Sequence, residues 1–148
     1  MTFCTMRGHL RDNPPKEVLD NLMIVKALRE GLGRLIVLID FITRPRKMRR
    51  SDEQQQQVAE ASSQLSLYQF YACPFCVKTR RAIHRLNLPI TTRDASQGSE
   101  YRTELESQAG KVKVPCLRIE EGDKVTWMYE SNDIISYLEQ RFGEPKAA

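Results

Sequence analysis

The sequence predicts an α/β domain of order β-α-β-α-β-β-α over residues 65–148, preceded by an N-terminal helix of amphipathic to apolar character. Three observations carry this. After Leu65, short β-branched and aromatic runs alternate with helical periodicities. A Cys73-Pro74-Phe75-Cys76 turn joins the first such strand to the first such helix. Two later apolar runs are joined by Glu120-Glu121-Gly122-Asp123, whose composition is that of a hairpin turn.

The elements follow in order. Residues 1–21 are polar, broken by Pro14-Pro15 and without period, so they are expected to be a disordered extension. Residues 22–42 read as a helix. Val25, Leu28, Leu32, Leu35, Ile36, Ile39 and Ile42 recur at three- and four-residue steps and predict one apolar face. Five cations within Arg44–Arg50 follow. Lys26, Arg29, Glu30, Arg34 and Asp40 interrupt the roughly 20 apolar residues that a membrane span needs. An interfacial helix, with its basic flank (residues 22–50) on anionic lipid, fits that pattern; a helix packed on the domain is the alternative. Residues 51–64, with Gln54–Gln57, read as a Gln-rich linker or a weak solvated helix, so residues 58–148 are expected to fold alone.

Within residues 65–148, Leu65–Phe70 is the first strand, and the Cys-Pro-Phe-Cys turn opens a helix to about Leu86 with Val77, Ile83 and Leu86 inward. Residues 90–93 form a short strand. Ser99 heads a helix that Gly110 closes. Residues 114–119 and 125–129 are the hairpin strands, and Ser131 or Asn132 caps a last helix that Gly143 and Pro145 end.

A chain of 148 residues is the length of one ordinary domain. Its net charge of +4 is unevenly placed: residues 1–57 hold 11 Lys/Arg against 7 Asp/Glu, and residues 58–148 hold 12 of each. A balanced C-terminal part argues against a nucleic-acid domain. The four cysteines, Cys4, Cys73, Cys76 and Cys116, form no disulfide framework, and the first twenty residues carry no signal-peptide core. A reducing, cytoplasmic setting is expected, and with the basic helix a peripheral position at the inner face of the cytoplasmic membrane.

A thiol–disulfide exchanger needs one exposed, stabilised thiolate and a second thiol close enough to attack it. Cys73, at the helix start, faces unpaired backbone N–H groups and the positive end of the helix dipole. Cys76 lies one turn further in, and Pro74 suits the first helical turn. A zinc site would need ligands from Cys4, Cys116, His9 or His84, none of which forms a second close pair, so no metal is expected. Val114-Pro115 opens a strand, a position that tolerates proline; a cis bond there would leave the preceding backbone groups free for an extended thiol peptide. Cys116 reads as a small core side chain or as a third redox thiol.

Cys73-Pro74-Phe75-Cys76, Lys113-Val114-Pro115 and Glu130-Ser131-Asn132-Asp133-Ile134 together resemble the glutaredoxin family of the thioredoxin superfamily, over about residues 65–143. That resemblance implies a thioredoxin-like fold with a mixed four-stranded sheet, and glutathione as co-substrate. It implies Cys73 as nucleophile and Cys76 as resolving thiol. It also implies a glutathione site made of Phe75, Lys113, Val114 beside a cis-Pro115, Glu130, Ser131, Asn132 and Asp133, with the γ-glutamyl end at the last helix's N-terminus. Three positions depart from the pattern: Phe70 replaces the usual Lys, Lys113 the usual Thr, and Tyr129-Glu130 the usual Gly-Gly. Lys111 or Lys113 is then expected to meet the glycyl carboxylate. Glu130-Ser131 is similar to the N-terminal domain of soluble glutathione transferases, which also points to glutathione.

The implied function is reduction of glutathionylated or disulfide-bearing protein substrates, with an anionic membrane surface as a further partner and no nucleic acid. An iron–sulfur-binding glutaredoxin module and a glutathione-transferase-like binding domain are the alternatives.

Overall fold

The computed structural model describes residues 16–143. Most of the expected 1–21 extension lies outside these residues, and from Lys16 onward the chain is already helical. The chain divides into two compact units, Met1–Leu32 and Gly33–Ala148.

Helix α1 (Lys16–Ile42) begins six residues before the apolar period. In the first unit its Met23, Ile24, Val25, Leu28 and Leu32 are all exposed, Leu28 at 67%. No described helix is long and apolar enough to cross a membrane.

The second unit holds the last ten residues of α1 and eight further elements: α2 (Asp52–Ser62), β1 (Leu65–Gln69), α3 (Pro74–Arg85), β2 (Thr91–Asp94), α4 (Glu100–Ala109), β3 (Cys116–Glu121), β4 (Lys124–Tyr129) and α5 (Ser131–Phe142). The sheet order is β2-β1-β3-β4; β1 runs parallel to β2 and antiparallel to β3, and β3 and β4 form the hairpin. This is the thioredoxin-like fold with its mixed four-stranded sheet.

Alternation along β1 separates two cores. Leu65 and Leu67 join Ile83 and Leu86 of α3, Leu117 and Ile119 of β3, and Ile134, Leu138 and Phe142 of α5. Tyr68 turns to the other face, with Ala95, Leu105 of α4 and Cys116. Each buried Leu or Phe in these layers contributes about 1.5–3 kcal/mol over leaving it exposed.

The segment ahead of β1 differs most from its sequence reading. In α1 the residues turned inward are Gly33, Ile36, Val37 and Asp40, at helical spacing. Leu32, Leu35, Ile39 and Ile42 of the predicted apolar face are exposed. A Cβ on Gly33 would come within 3.0 Å of the Ala72 Cβ, so only glycine allows that approach without a shift. Asp40, almost fully buried, accepts from Arg81 of α3 at 3.1 Å and from Arg44 at 3.2 Å. A buried carboxylate of this kind needs such pairing.

The Gln-rich stretch is a helix rather than a flexible linker. Ser51 and Gln54 form a reciprocal capping box at its head, and Asp52 and Glu53 occupy its first turn. Val58 and Ala61 pack against the larger core together with Met48. Arg50 donates to the carbonyl oxygens of Leu86 and Phe142, each at 2.6 Å, closing the C-terminal ends of α3 and α5. A polyglutamine run hides this because its helical signal rests on capping and on two small apolar residues.

Candidate functional site

Strand register brings three segments to one end of the sheet. Tyr68 pairs with Cys116 and Cys116 with Tyr129, so the β1–α3 turn, the Val114-Pro115 approach to β3 and the start of α5 lie side by side. The Val114–Pro115 bond is cis.

Cys73 is the N-cap of α3, in extended conformation, with Pro74 as the first helical residue and no side-chain cap. Its thiol is partly exposed, and its N–H reaches the Phe70 carbonyl at 3.3 Å. Cys76 is fully buried. Burial, and next the neighbouring Cys73, push its thiol up to about 12, against the pull of a Phe70 backbone hydrogen bond and of Arg80. The two thiols therefore sit in unequal settings, one accessible at a helix start and one held protonated beneath it. Phe75 and Tyr71 flank Cys73 with exposed rings, Phe75 at 61%.

Cys116 is fully buried in the smaller core. Burial raises its thiol to about 12, while a hydrogen bond with Tyr129 and the charge of Lys111 pull it down. That setting is one of packing, the first of its two sequence readings.

The start of α5 departs from the expected cap. Glu130, rather than Ser131 or Asn132, is the N-cap, at a positive φ of 67° that non-glycine residues seldom adopt. Ser131 is buried as the first helical residue, and Asn132 and Asp133 are exposed in the first turn. Glu130 forms an ion pair with Lys113, which holds its carboxyl below the usual carboxylate range. The cation expected for a substrate carboxylate is thus engaged within the protein. Lys111 instead lies 4.3 Å from the centre of the Tyr129 ring.

Two cations escaped the sequence reading. Arg80 donates to the Gln69 side chain and, at 2.8 Å, to the Tyr71 carbonyl, and stacks on the Tyr71 ring. It fixes the turn that carries Cys73. Its seven-residue spacing from Cys73 places it on the same helix face, a signal the sequence did contain. Lys78 donates to Asn132 Oδ1, adding positive charge to the start of α5. Nothing local marks that contact, because the partners are 54 residues apart. Among the described residues no group of three or more His, Cys, Asp or Glu side chains could hold a metal ion.

Residues 67–146 match the family described as Glutathione S-transferase, N-terminal domain. The chain belongs to this family. Within reach of this glutathione S-transferase N-terminal domain is mouse Prostaglandin E synthase 2, 38% identical over 77 residues. That match covers 52% of this chain and 19% of that protein, so the chain spans about a fifth of its relative. Among solved structures, maleylacetoacetate isomerase from Anaeromyxobacter dehalogenans 2CP-1, with bound dicarboxyethyl glutathione and citrate, is 25% identical with a TM-score of 0.45, covering 57% of this chain and 40% of that one. Glutaredoxin from Brucella melitensis is 21% identical with a TM-score of 0.38, covering 55% and 83%.

Proposed function

We propose that this glutathione S-transferase N-terminal-domain protein is a glutathione-dependent thiol–disulfide oxidoreductase. The observation that carries this reading is the unequal pair: Cys73 accessible at the N-cap of α3, and Cys76 buried one turn inward with its thiol raised to about 12. The Cys73 thiolate attacks the glutathione sulfur of a mixed disulfide, and the substrate leaves as a thiolate that takes a proton from water. Cys73 is then disulfide-linked to glutathione. A second glutathione thiolate attacks that glutathione sulfur, releasing glutathione disulfide and restoring Cys73. For a protein disulfide, Cys76 attacks Cys73 in the mixed intermediate, leaving a Cys73–Cys76 disulfide for two glutathione molecules to reduce.

Glutathione is proposed to lie along Val114 and Pro115 beside Phe75, with its γ-glutamyl carboxylate at the start of α5 near Ser131 and Asn132 and its amino group on Asp133. Helix N-termini suit carboxylates, and Asp133 is exposed and free to pair with an ammonium. Lys113 and Glu130 border this site as a pair. Asp133→Ala should raise the KM for glutathione about tenfold, the loss of one charge-assisted hydrogen bond. Reduction by dithiothreitol should stay unchanged. Equal effects on both reductants would remove Asp133 from the site.

The match to a transferase family supports a second reading, in which Cys73 activates glutathione for transfer to an electrophile. Transfer would survive Cys76→Ser, and so would monothiol reduction, so conjugation of an electrophilic substrate is the assay that separates them.

We also propose that the first unit attaches the protein peripherally to the inner face of the cytoplasmic membrane. The exposed Met23, Ile24, Val25, Leu28 and Leu32 support this. Leu28→Ser with Leu32→Ser should reduce sedimentation with anionic vesicles by more than about tenfold, since each Leu transferred from water is worth about 1.5–3 kcal/mol. A wild-type chain that ignores such vesicles at low salt would remove this part.

A further inference from the structure

The five cations of residues 44–50 do not act as one run. Arg44 is tied to Asp40, and Arg50 donates both guanidinium nitrogens to carbonyl oxygens. Arg46, Lys47 and Arg49 remain exposed. Among the described residues none of these three forms an ion pair with a carboxylate.

These three cations line a groove of about 790 Å³. Its fixed part is a hydrogen-bonded set: Gln55 donates to the Asn87 carbonyl at 2.9 Å, Asn87 donates back to Gln55 Oε1 at 3.1 Å, and Arg50 reaches the same oxygen. Asp52 is the one carboxylate in the lining, against Arg46, Lys47, Arg49 and Arg50, so the formal charge of the wall is four minus one, or +3. A smaller cavity of about 220 Å³ shares Lys47 and Asn87 and adds Arg44 and His84. His84 is held below its ordinary value by burial first, then by Arg44 and Lys47, against the opposite pull of Asp40.

We infer that this groove, framed by residues 46–50, the start of α2 and Asn87 after α3, is an anion site for a phosphate-bearing ligand. Guanidinium groups match phosphate oxygens in bidentate fashion, and a lysine adds a compact charge, so two arginines and a lysine suit a dianion or pyrophosphate better than a single carboxylate. The volume lies in the range of small-molecule sites. The groove is at the C-terminal end of α3 and Cys73 is at its N-cap, about 18 Å away for 12 residues at 1.5 Å each. The groove is therefore separate from the site of the thiol chemistry, and the inference does not rest on it.

A lipid headgroup and a soluble phosphorylated molecule both carry the required group. Isothermal titration of the full chain with inorganic pyrophosphate at low ionic strength tests the shared chemistry. The triple variant Arg46→Gln, Lys47→Gln, Arg49→Gln should bind roughly a hundredfold more weakly, a factor of about five per cation. Among the described residues none of these side chains makes a hydrogen bond, so the urea midpoint should stay put; Lys124→Gln, on β4, serves as the control for removing a positive charge away from the groove. Absence of binding by the wild type, or equal binding by the triple variant, overturns the site. Vesicles of phosphatidylcholine with and without phosphatidic acid then assign the source. Flotation lost in the triple variant points to a headgroup, and flotation retained while pyrophosphate binding is lost points to a soluble ligand.

Discussion

Cys73→Ser abolishes glutathione-dependent reduction of a small mixed disulfide, by more than about 1,000-fold, while Cys76→Ser keeps most of it: this is the expected result of a two-mutant comparison. The reason is geometric. Of the two thiols Cys73 is the accessible one, at the N-cap of α3. Cys76 is fully buried, so a substrate from solution cannot reach it and it cannot take over the first attack, while it remains beside Cys73. Cys76 becomes necessary when the target is a protein disulfide, because its attack on Cys73 must release the second half of the substrate. Cys76→Ser should therefore lose that activity selectively. The assay is oxidation of the coupled reductant with each substrate, and equal loss in both mutants on the small substrate would sink the monothiol route.

The second large effect concerns Arg50. Arg50→Ala should cost about 3–6 kcal/mol, read as a shift in urea midpoint at constant slope, because two charged hydrogen bonds to helix-end carbonyls are lost and each is worth about 1.5–3 kcal/mol. Arg50→Lys should recover part of this, since one ammonium cannot reproduce the fork that reaches both carbonyls. The same contacts revise the expectation that residues 58–148 fold alone. Such a fragment lacks Arg50, the packed Met48, the Asp40 pairing with Arg81 and the capped start of α2. Against a typical total of about 5–15 kcal/mol, those losses should leave it largely unfolded by circular dichroism. A fragment 58–148 that melts cooperatively with the midpoint of the full chain would show these contacts to be dispensable.

The α/β order, the placement of Cys73 at a strand–helix junction, the inward Val77, Ile83 and Leu86, and the Gly110 and Gly122 turns were all legible in the sequence. They depend on periodicity, capping and turn chemistry within a few residues of themselves. What only the tertiary structure decided are choices between distant partners. Hydropathy gives α1 one apolar face through Leu32, Leu35, Ile36 and Ile39, yet of these only Ile36 lies on the face that docks in the second unit, with Gly33, Val37 and Asp40. There a glycine permits close approach to Ala72, and a carboxylate finds Arg81. Arg50 looked like one more cation in a basic run until two helix ends, 36 and 92 residues away, supplied its acceptors. Lys113 looked free until β3 and β4 brought Glu130 beside it. Local sequence fixes conformation through short-range sterics and hydrogen bonds; which charge is spent inside the fold and which remains for a ligand depends on contacts that exist only once the sheet and helices have assembled.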